Sequence, residues 1–231
     1  MKKLVVMIPC YNEENGIGKV IDSILYSSFN ALGYNVEVLV IDNNSKDRTA
    51  EIAKAHGATV IFESKQGKGN AVRSGFNSIK KADIVVMLDG DATYSAKEML
   101  RLVEPIASGF CDVVIGSRLC GKINGEMSRF NRMGNWFFSF MVRIGYNGNV
   151  TDVCTGYFAW NFKVIKELRK HLESEGFSIE MEMLTKMSKL GYEIFAVPIS
   201  YYHREGQSSL NPLRDGYRIM KSWVKYLTWK P

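Results

Sequence analysis

Short apolar runs recur through the first half of the chain, and each stops abruptly at polar residues. They are Leu4-Val5-Val6-Met7-Ile8-Pro9, Val36 to Ile41, Ala58 to Phe62, Asp83 to Leu88 and Asp112 to Ile115. Aliphatic runs of this length without alternation predict strands buried on both faces of a parallel sheet. Between them, apolar residues at spacings of three and four predict helices. One spans about 14–31, with Ile17, Val20, Ile21, Ile24 and Leu25 on one face. A second opens at Asp47 and ends near Gly57. A third follows Gly67-Lys68-Gly69-Asn70 and carries Ala71, Val72, Phe76 and Ile79. A fourth, capped by Ser95 or a neighbour, holds Met99, Leu100, Leu102 and Val103. Strict alternation of strand and helix predicts an α/β fold with a wound, mostly parallel sheet and right-handed crossovers.

After residue 118 the pattern changes. Met127 to Tyr146 reads as a helix with Phe130, Met133, Phe137, Phe140, Met141 and Ile144 on one face, flanked by Arg129, Arg132 and Arg143. Thr151 to Tyr157 is a polar loop, Phe158-Ala159-Trp160 a short strand, and about 163–173 a helix. Another helix runs from Ile179 to Leu190, on which Glu180 and Glu182 form either a solvated face or a functional pair. Tyr192 to Ile199 is a late strand, and His203 to Ser209 a polar, glycine-containing loop. A last helix, about 212–228, aligns Leu213, Tyr217, Met220, Val224 and Leu227, with Trp223 and Trp229 beside them and Arg214, Arg218, Lys221, Lys225 and Lys230 supplying charge.

Open α/β sheets bind ligands at the carboxyl ends of their strands. The polar residues gather there: Tyr11 and Glu13 after the first run, Asp42 after the second, Lys68 after the third, Asp89 and Asp91 after the fourth. Asp89 and Asp91 are separated by Gly90, which lets the backbone turn tightly. Two carboxylates so close repel one another, and a hard divalent cation that also holds a diphosphate relieves that repulsion. The plainer reading of the pair is a surface Asp-Gly turn. For Asp42 it is a local turn, and for Lys68 a solvated lysine. No Gly-x-Gly-x-x-Gly follows the first strand and no phosphate-binding Gly-Lys-Ser/Thr loop occurs, which argues against a dinucleotide oxidoreductase or a P-loop NTPase.

The 231 residues suffice for one large α/β domain, and 46% apolar with 23% charged residues is ordinary for a globular protein. No apolar stretch reaches the roughly 20 residues that span a bilayer. Met1-Lys2-Lys3 leads into a short run ended by Pro9, so no secretory leader is expected. The four cysteines show no metal spacing and are expected to be reduced thiols of a cytosolic protein. A net charge of +6 suits an anionic partner. The basic residues form no compact tract and no nucleic-acid-binding motif appears, so no nucleic-acid partner is expected.

Taken together, Pro9-Cys10-Tyr11-Asn12-Glu13-Glu14, Asp42 to Asp47, Gly67-Lys68-Gly69, Leu88-Asp89-Gly90-Asp91 and Gly116-Ser117-Arg118 resemble an inverting family 2 glycosyltransferase with the glycosyltransferase A-type fold. Asn131 to Asn135, Thr151-Asp152 through Gly156-Tyr157, Glu180-Met181-Glu182 and Asn211 to Gly216 resemble the dolichyl or polyprenyl phosphate sugar synthase branch, which includes dolichol-phosphate mannose synthases. The resemblance spans nearly the whole chain. It implies a catalytic domain over 1–210, divided into a nucleotide-sugar half (1–118) and an acceptor half (119–210). It leaves 211–231 as an amphipathic basic and aromatic helix suited to a membrane surface.

The resemblance further implies a nucleotide-sugar site of Pro9, Tyr11, Glu13, Asp42, Lys68, Asp89 and Asp91. Mg²⁺ or Mn²⁺ is expected on Asp91, with Asp89 completing the shell or meeting the ribose. The acceptor is expected to be polyprenyl (dolichyl) phosphate, met by Arg118, Arg204 and Arg129, with Arg132 a further candidate and Asp152 orienting acceptor or sugar. The enzyme is expected on the cytoplasmic face of a membrane, held peripherally by the last helix, with the 127–146 helix a second candidate; either stripe could instead pack on the core or on a second subunit. Related mannose synthases often carry Gln where this chain has Thr93, so mannose does not carry over directly. GDP-mannose, UDP-glucose and UDP-N-acetylglucosamine all remain open as donors, and oligomeric state is unassigned. Competing readings are a transferase extending a lipid-linked or polymeric saccharide, with Asp152 or Glu180 as base, a nucleotidyltransferase, and a non-catalytic basic module that binds nucleotide or nucleic acid.

Overall fold

The computed structural model describes residues 1–125, 127–146, 149–205 and 211–231. Gly206, Gln207, Ser208 and Ser209 of the loop expected after His203 lie outside the described residues. Among the described residues the strands are β1 (Lys2–Cys10), β2 (Tyr34–Asp42), β3 (Thr59–Phe62), β4 (Ile84–Met87), β5 (Val113–Ser117), β6 (Phe158–Asn161) and β7 (Ile194–Pro198). They form one sheet in the order β3-β2-β1-β4-β6-β5-β7. Every residue of β1 from Leu4 to Cys10 is buried, as are all of β4 and β5. Their unbroken aliphatic runs fit this placement, because both faces of these strands are covered.

Helices α1 (Ile17–Asp22), α2 (Tyr26–Ala31), α3 (Thr49–Ala55) and α5 (Met99–Ala107) cover one face. Helices α4 (Lys68–Ser78), α6 (Arg129–Tyr146), α7 (Phe162–Leu168), α8 (Ile179–Lys189) and α9 (Pro212–Leu227) pack with the other. The single helix expected over 14–31 is two. Ser23 Oγ donates to the Val20 carbonyl at 2.9 Å, and this local bond competes with continuation of the helix. The break lets Phe29 turn inward, edge-on to Tyr34. Ser95 does not cap the next helix through its side chain; the chain enters α5 by a tight 3-10 turn over Ala96–Glu98. The helix expected to reach 173 ends at Leu168, and its start is capped by Asn161, whose side chain accepts from Lys163 N.

The departure that matters most is β6. It enters antiparallel between β4 and β5, pairing Met87 and Ile115 with Phe158, and Val85 and Val113 with Trp160. Its first residue therefore lies at the carboxyl ends of β4 and β5. The loop before β6 meets both the Asp89-Gly90-Asp91 turn and the Gly116-Ser117-Arg118 turn at one edge of the sheet. Trp160 fixes this insertion: it is fully buried, stacked on Phe158 at 5.1 Å and edge-on to Phe76 at 5.3 Å. Replacing it with alanine is expected to lower unfolding free energy by about 3–5 kcal/mol, read from chemical denaturation; a loss under 1 kcal/mol would show that the β4–β6–β5 junction does not depend on it.

Candidate functional site

The loops leaving β1 and β2 are tied together by side chains. Asn12 N donates to Ser45 Oγ at 3.0 Å, Lys46 N to Asn12 Oδ1 at 2.8 Å, and Glu13 N to Thr49 Oγ1 at 2.8 Å. Asn12 and Asn44 adopt left-handed backbone, which asparagine tolerates better than most residues. In the β4 turn the left-handed residue is Ala92 (φ 60°), not Gly90. Gly90 is needed for room: a Cβ there would fall 2.6 Å from Cys10 Sγ.

A cavity of about 1170 Å³ opens at this edge of the sheet. Its polar end is lined by Pro9, Tyr11, Glu13, Lys68, Asp89, Asp91, Arg118 and Arg204. The structure therefore brings most of the candidate residues to one place. Asp42 is buried at the end of β2, accepting from Ser45 N at 3.2 Å, and its neighbour Asn43 lines the cavity instead. Arg129 is exposed at the start of α6, outside the cavity lining, and Asp152 lies buried behind Arg118.

The carboxylates at the polar end are held by built-in cations. Lys68 Nζ sits 2.8 Å from Asp89 Oδ1 and 2.8 Å from Glu180 Oε1. Arg204 Nη2 sits 2.6 Å from Asp91 Oδ2 and its Nη1 is 3.9 Å from Glu13. Asp91 Oδ1 accepts from Thr93 N and from Thr93 Oγ1, at 3.0 and 2.6 Å. Burial, then the charges of Asp91 and Asp89, push Glu13 up to about 8, with Arg204 opposing. Asp91 is likewise raised by burial and by Asp89. Burial opposes the charge on Lys68, but Asp89 and Glu180 hold its amine well above the usual lysine range. The site therefore sets four carboxyl groups against two cations, and burial favours the protonated form of Glu13, Asp91 and Glu180.

Arg118 is held differently. Its Nε, Nη2 and backbone N all reach the carboxylate of Asp152 at 2.8 Å, and Asn135 Nδ2 donates to the same group at 2.6 Å. Asp152 is wholly buried, so it fixes the guanidinium rather than meeting a ligand itself. The fork of Arg118 stays at the cavity wall, also facing the Tyr201 ring.

The sequence left Glu180 and Glu182 as either a solvated helix face or a functional pair, with Glu180 a candidate base for saccharide extension. The helix is buried all round, Glu180 and Glu182 included.

The far end of the cavity is built by α6 and α9. Met127, Phe130, Phe137, Leu213, Tyr217 and Met220 contribute apolar walls, with Arg214 and Arg218 among them. The two helices lock together where Trp223 Nε1 donates to the Met141 carbonyl at 3.1 Å. Phe130, Met133, Trp136, Ile144, Leu213, Tyr217 and Val224 remain exposed, while Ile219 and Tyr226 face the core. Among the described residues no helix is long and apolar enough to cross a membrane.

Residues 5–169 match the model of glycosyl transferase family 2, and the chain belongs to that family. It is a glycosyltransferase. A glycosyltransferase of Haloferax volcanii, AglJ, is 37% identical over 91% of this chain and 67% of its own length. The dolichyl-phosphate hexose transferase of the same organism is 34% identical, covering 96% of this chain and 92% of that one. The undecaprenyl-phosphate mannosyltransferase of Micrococcus luteus is 29% identical over 90% and 88%. Among solved structures, glucosyl-3-phosphoglycerate synthase from Mycobacterium tuberculosis, crystallised with Mn²⁺, UDP-glucose and phosphoglyceric acid, superposes with a TM-score of 0.76 at 21% identity, over 100% of this chain and 81% of that one. This likeness shows the glycosyltransferase A-type fold.

The raised carboxyl of Glu13 gives the protein a pH-dependent stability. With its folded value near 8 and the ordinary value 4.5, the folded chain binds the proton more tightly, so stability falls as pH rises between the two. In metal-free buffer, Glu13→Gln is expected to melt close to wild type at pH 4.5 and several degrees higher at pH 8.5. Parallel melting curves across that range would contradict the assignment.

Proposed function

We propose that this glycosyltransferase moves a sugar from a nucleotide sugar to a polyprenyl (dolichyl) phosphate, with inversion, at the cytoplasmic surface of a membrane. The observation that carries the reading is the single cavity that joins a carboxylate-rich polar end to apolar walls on two amphipathic helices. A nucleotide sugar is polar and anionic; a polyprenyl phosphate is an anion on an apolar tail. One cavity with these two ends suits that pair. Relatives named as acting on dolichyl and undecaprenyl phosphate support the acceptor class.

The donor base and ribose are assigned to Pro9, Tyr11, Glu13 and Asp42, the last acting from behind Asn43. Tyr11 offers a flat, partly exposed face for a base. The residues fit a divalent cation shared with a diphosphate better than one enclosed by protein. Among the described residues no cluster of three or more metal-binding side chains occurs, whereas Asp89 and Asp91 supply two carboxyl oxygen donors close enough that the charge of Asp89 raises Asp91. A Cβ on Gly156 would fall 2.2 Å from Asp89 Oδ2, so the loop before β6 leaves that carboxylate its place. Mg²⁺ or Mn²⁺ held by Asp91 and Asp89 would act as a Lewis acid toward the departing nucleoside diphosphate. Lys68 and Arg204 hold those carboxylates and stand ready to pair with phosphate oxygens.

Acceptor phosphate oxygens are nucleophilic at neutral pH, so positioning and charge matter more than a strong base. Arg118 and Arg204 are assigned to that phosphate, with Arg118 pre-aimed by Asp152 and Asn135. Arg129 and Arg132 sit at the start of α6, where they suit lipid headgroups better than the reacting phosphate. Because Asp152 is buried and fully engaged, it is poorly placed to serve as the base that saccharide extension requires. Residues 1–210 are read as the catalytic unit and 211–231 as its membrane-facing helix. Basic residues near an anionic leaflet contribute about 1 kcal/mol each.

Incubation with radiolabelled GDP-mannose, UDP-glucose or UDP-N-acetylglucosamine, a divalent metal and polyprenyl phosphate is expected to move label into organic solvent. Asp91→Ala should reduce transfer by about a hundredfold or more. Absence of metal-dependent transfer from every donor would refute the acceptor assignment. In flotation with anionic phospholipid vesicles, Leu213→Asp combined with Tyr217→Asp and Val224→Asp should abolish binding without lowering the melting temperature. Unchanged flotation would remove the membrane role of α9.

A further inference from the structure

Glu182 and Lys186 lie one turn apart on α8, both buried, and no role described so far uses them. Lys186 Nζ is 2.5 Å from Glu182 Oε1 and donates to the His171 carbonyl at 2.6 Å. It also lies 4.4 Å from the ring centre of Tyr226 and 5.2 Å from that of Trp229. A buried ion pair is weak support for stability, because desolvation offsets its attraction. The pair's other contacts suggest what it does.

The remaining acceptor capacity of Glu182 goes to two backbone amides. Oε1 accepts from Glu173 N at 3.0 Å and Oε2 from Ser174 N at 2.7 Å. That segment backs directly onto the start of α4. Asn70 N donates to the Glu175 carbonyl at 3.2 Å. A Cβ on Gly67 or Gly69 would fall 2.2 Å from the Glu175 or Ser174 carbonyl oxygen respectively. Between those glycines stands Lys68, its amine held by Asp89 and Glu180. Helix α8 thus reaches Lys68 from two sides: Glu180 takes the amine, and Glu182 fixes the 173–174 segment that leads into the carbonyls against which the backbone of residues 67–70 packs.

We propose that Glu182 is a positioning residue for Lys68, and that the end of α9 belongs to the same frame through the cage of Tyr226 and Trp229 around Lys186. Tyr226 Oη and Lys225 Nζ also reach Glu173, at 3.0 and 2.8 Å, so α9 touches the supporting segment directly. The helix that walls the acceptor end of the cavity is therefore mechanically joined to the cation at the donor end. The proposal rests on the reading of Lys68 as a cation facing the donor diphosphate.

Glu182→Gln keeps the side chain's volume but turns an N–H toward groups that themselves donate. In the ligand-free protein, amide exchange over residues 67–71 is expected to rise about tenfold relative to β1. Affinity for UDP or GDP, each titrated with MnCl₂, should fall about tenfold in the folded variant. Trp229→Ala, which loosens the Lys186 cage from a partly exposed position, should change both readouts in the same direction to a smaller extent, and carries the test alone if Glu182→Gln does not fold. Exchange that rises equally everywhere, or nucleotide affinity that stays at wild type while Lys68→Ala loses it, overturns the proposal. Lys68→Ala binding nucleotide as wild type does, or wild type binding neither nucleotide, overturns instead the reading of Lys68.

Discussion

The structure is arranged around a surplus of buried carboxyl groups over cations at one sheet edge. Glu13, Asp89, Asp91 and Glu180 converge where burial already penalises ionisation, and the carboxyls of Glu13, Asp91 and Glu180 are pushed upward as a result. Such a cluster persists only if cations are built in beside it. Lys68 and Arg204 fill that role, each bridging two of the four acidic residues. The same arrangement is what a metal-bound diphosphate needs: oxygen donors for the cation, and cations that can turn to phosphate.

The elements that bring this about come from separate parts of the chain. Glu13 and the Asp89–Asp91 turn follow adjacent parallel strands, β1 and β4. Glu180 arrives on α8, and Arg204 on the segment after β7, where Tyr202 N donates to the Thr93 carbonyl and Glu205 N to that of Asp91. An exposed ion pair between Lys19 and Glu205 lies beside this segment and, being well solvated, adds little to holding it. The backbone bonds to the β4 turn do more, because they place Arg204 directly over Asp91.

Arg118 illustrates a different solution to the same problem. Its partner Asp152 is completely buried and also accepts from Asn135, so both carboxylate oxygens are satisfied and the guanidinium is fixed as a fork. A surface arginine would lose rotamer freedom on meeting an anion; this one has already lost it. The positive wall of the cavity is in this sense preorganised, whereas Arg214 and Arg218 at its apolar end are more exposed and engage Asp215 only at 3.6–3.9 Å.

The sequence by itself determined the sheet and most of the polar site. Unbroken aliphatic runs can be buried on both faces only in a covered sheet, and the alternation of strands and helices puts their carboxyl ends together. That is why Glu13, Lys68, Asp89 and Asp91 were legible as neighbours. Tertiary structure alone decided the rest. The antiparallel insertion of β6 is a long-range pairing with no local signature in Phe158-Ala159-Trp160, and it brings Arg118 and Gly156 to the β4 turn. The burial of Glu180 and Glu182 depends on what packs around α8 rather than on the helix's own pattern. Arg129, one residue of an amphipathic face, points where α6 happens to lie. Local periodicity reports which side of an element is apolar; which partner covers it, and which charge it meets there, is settled only when distant segments pack.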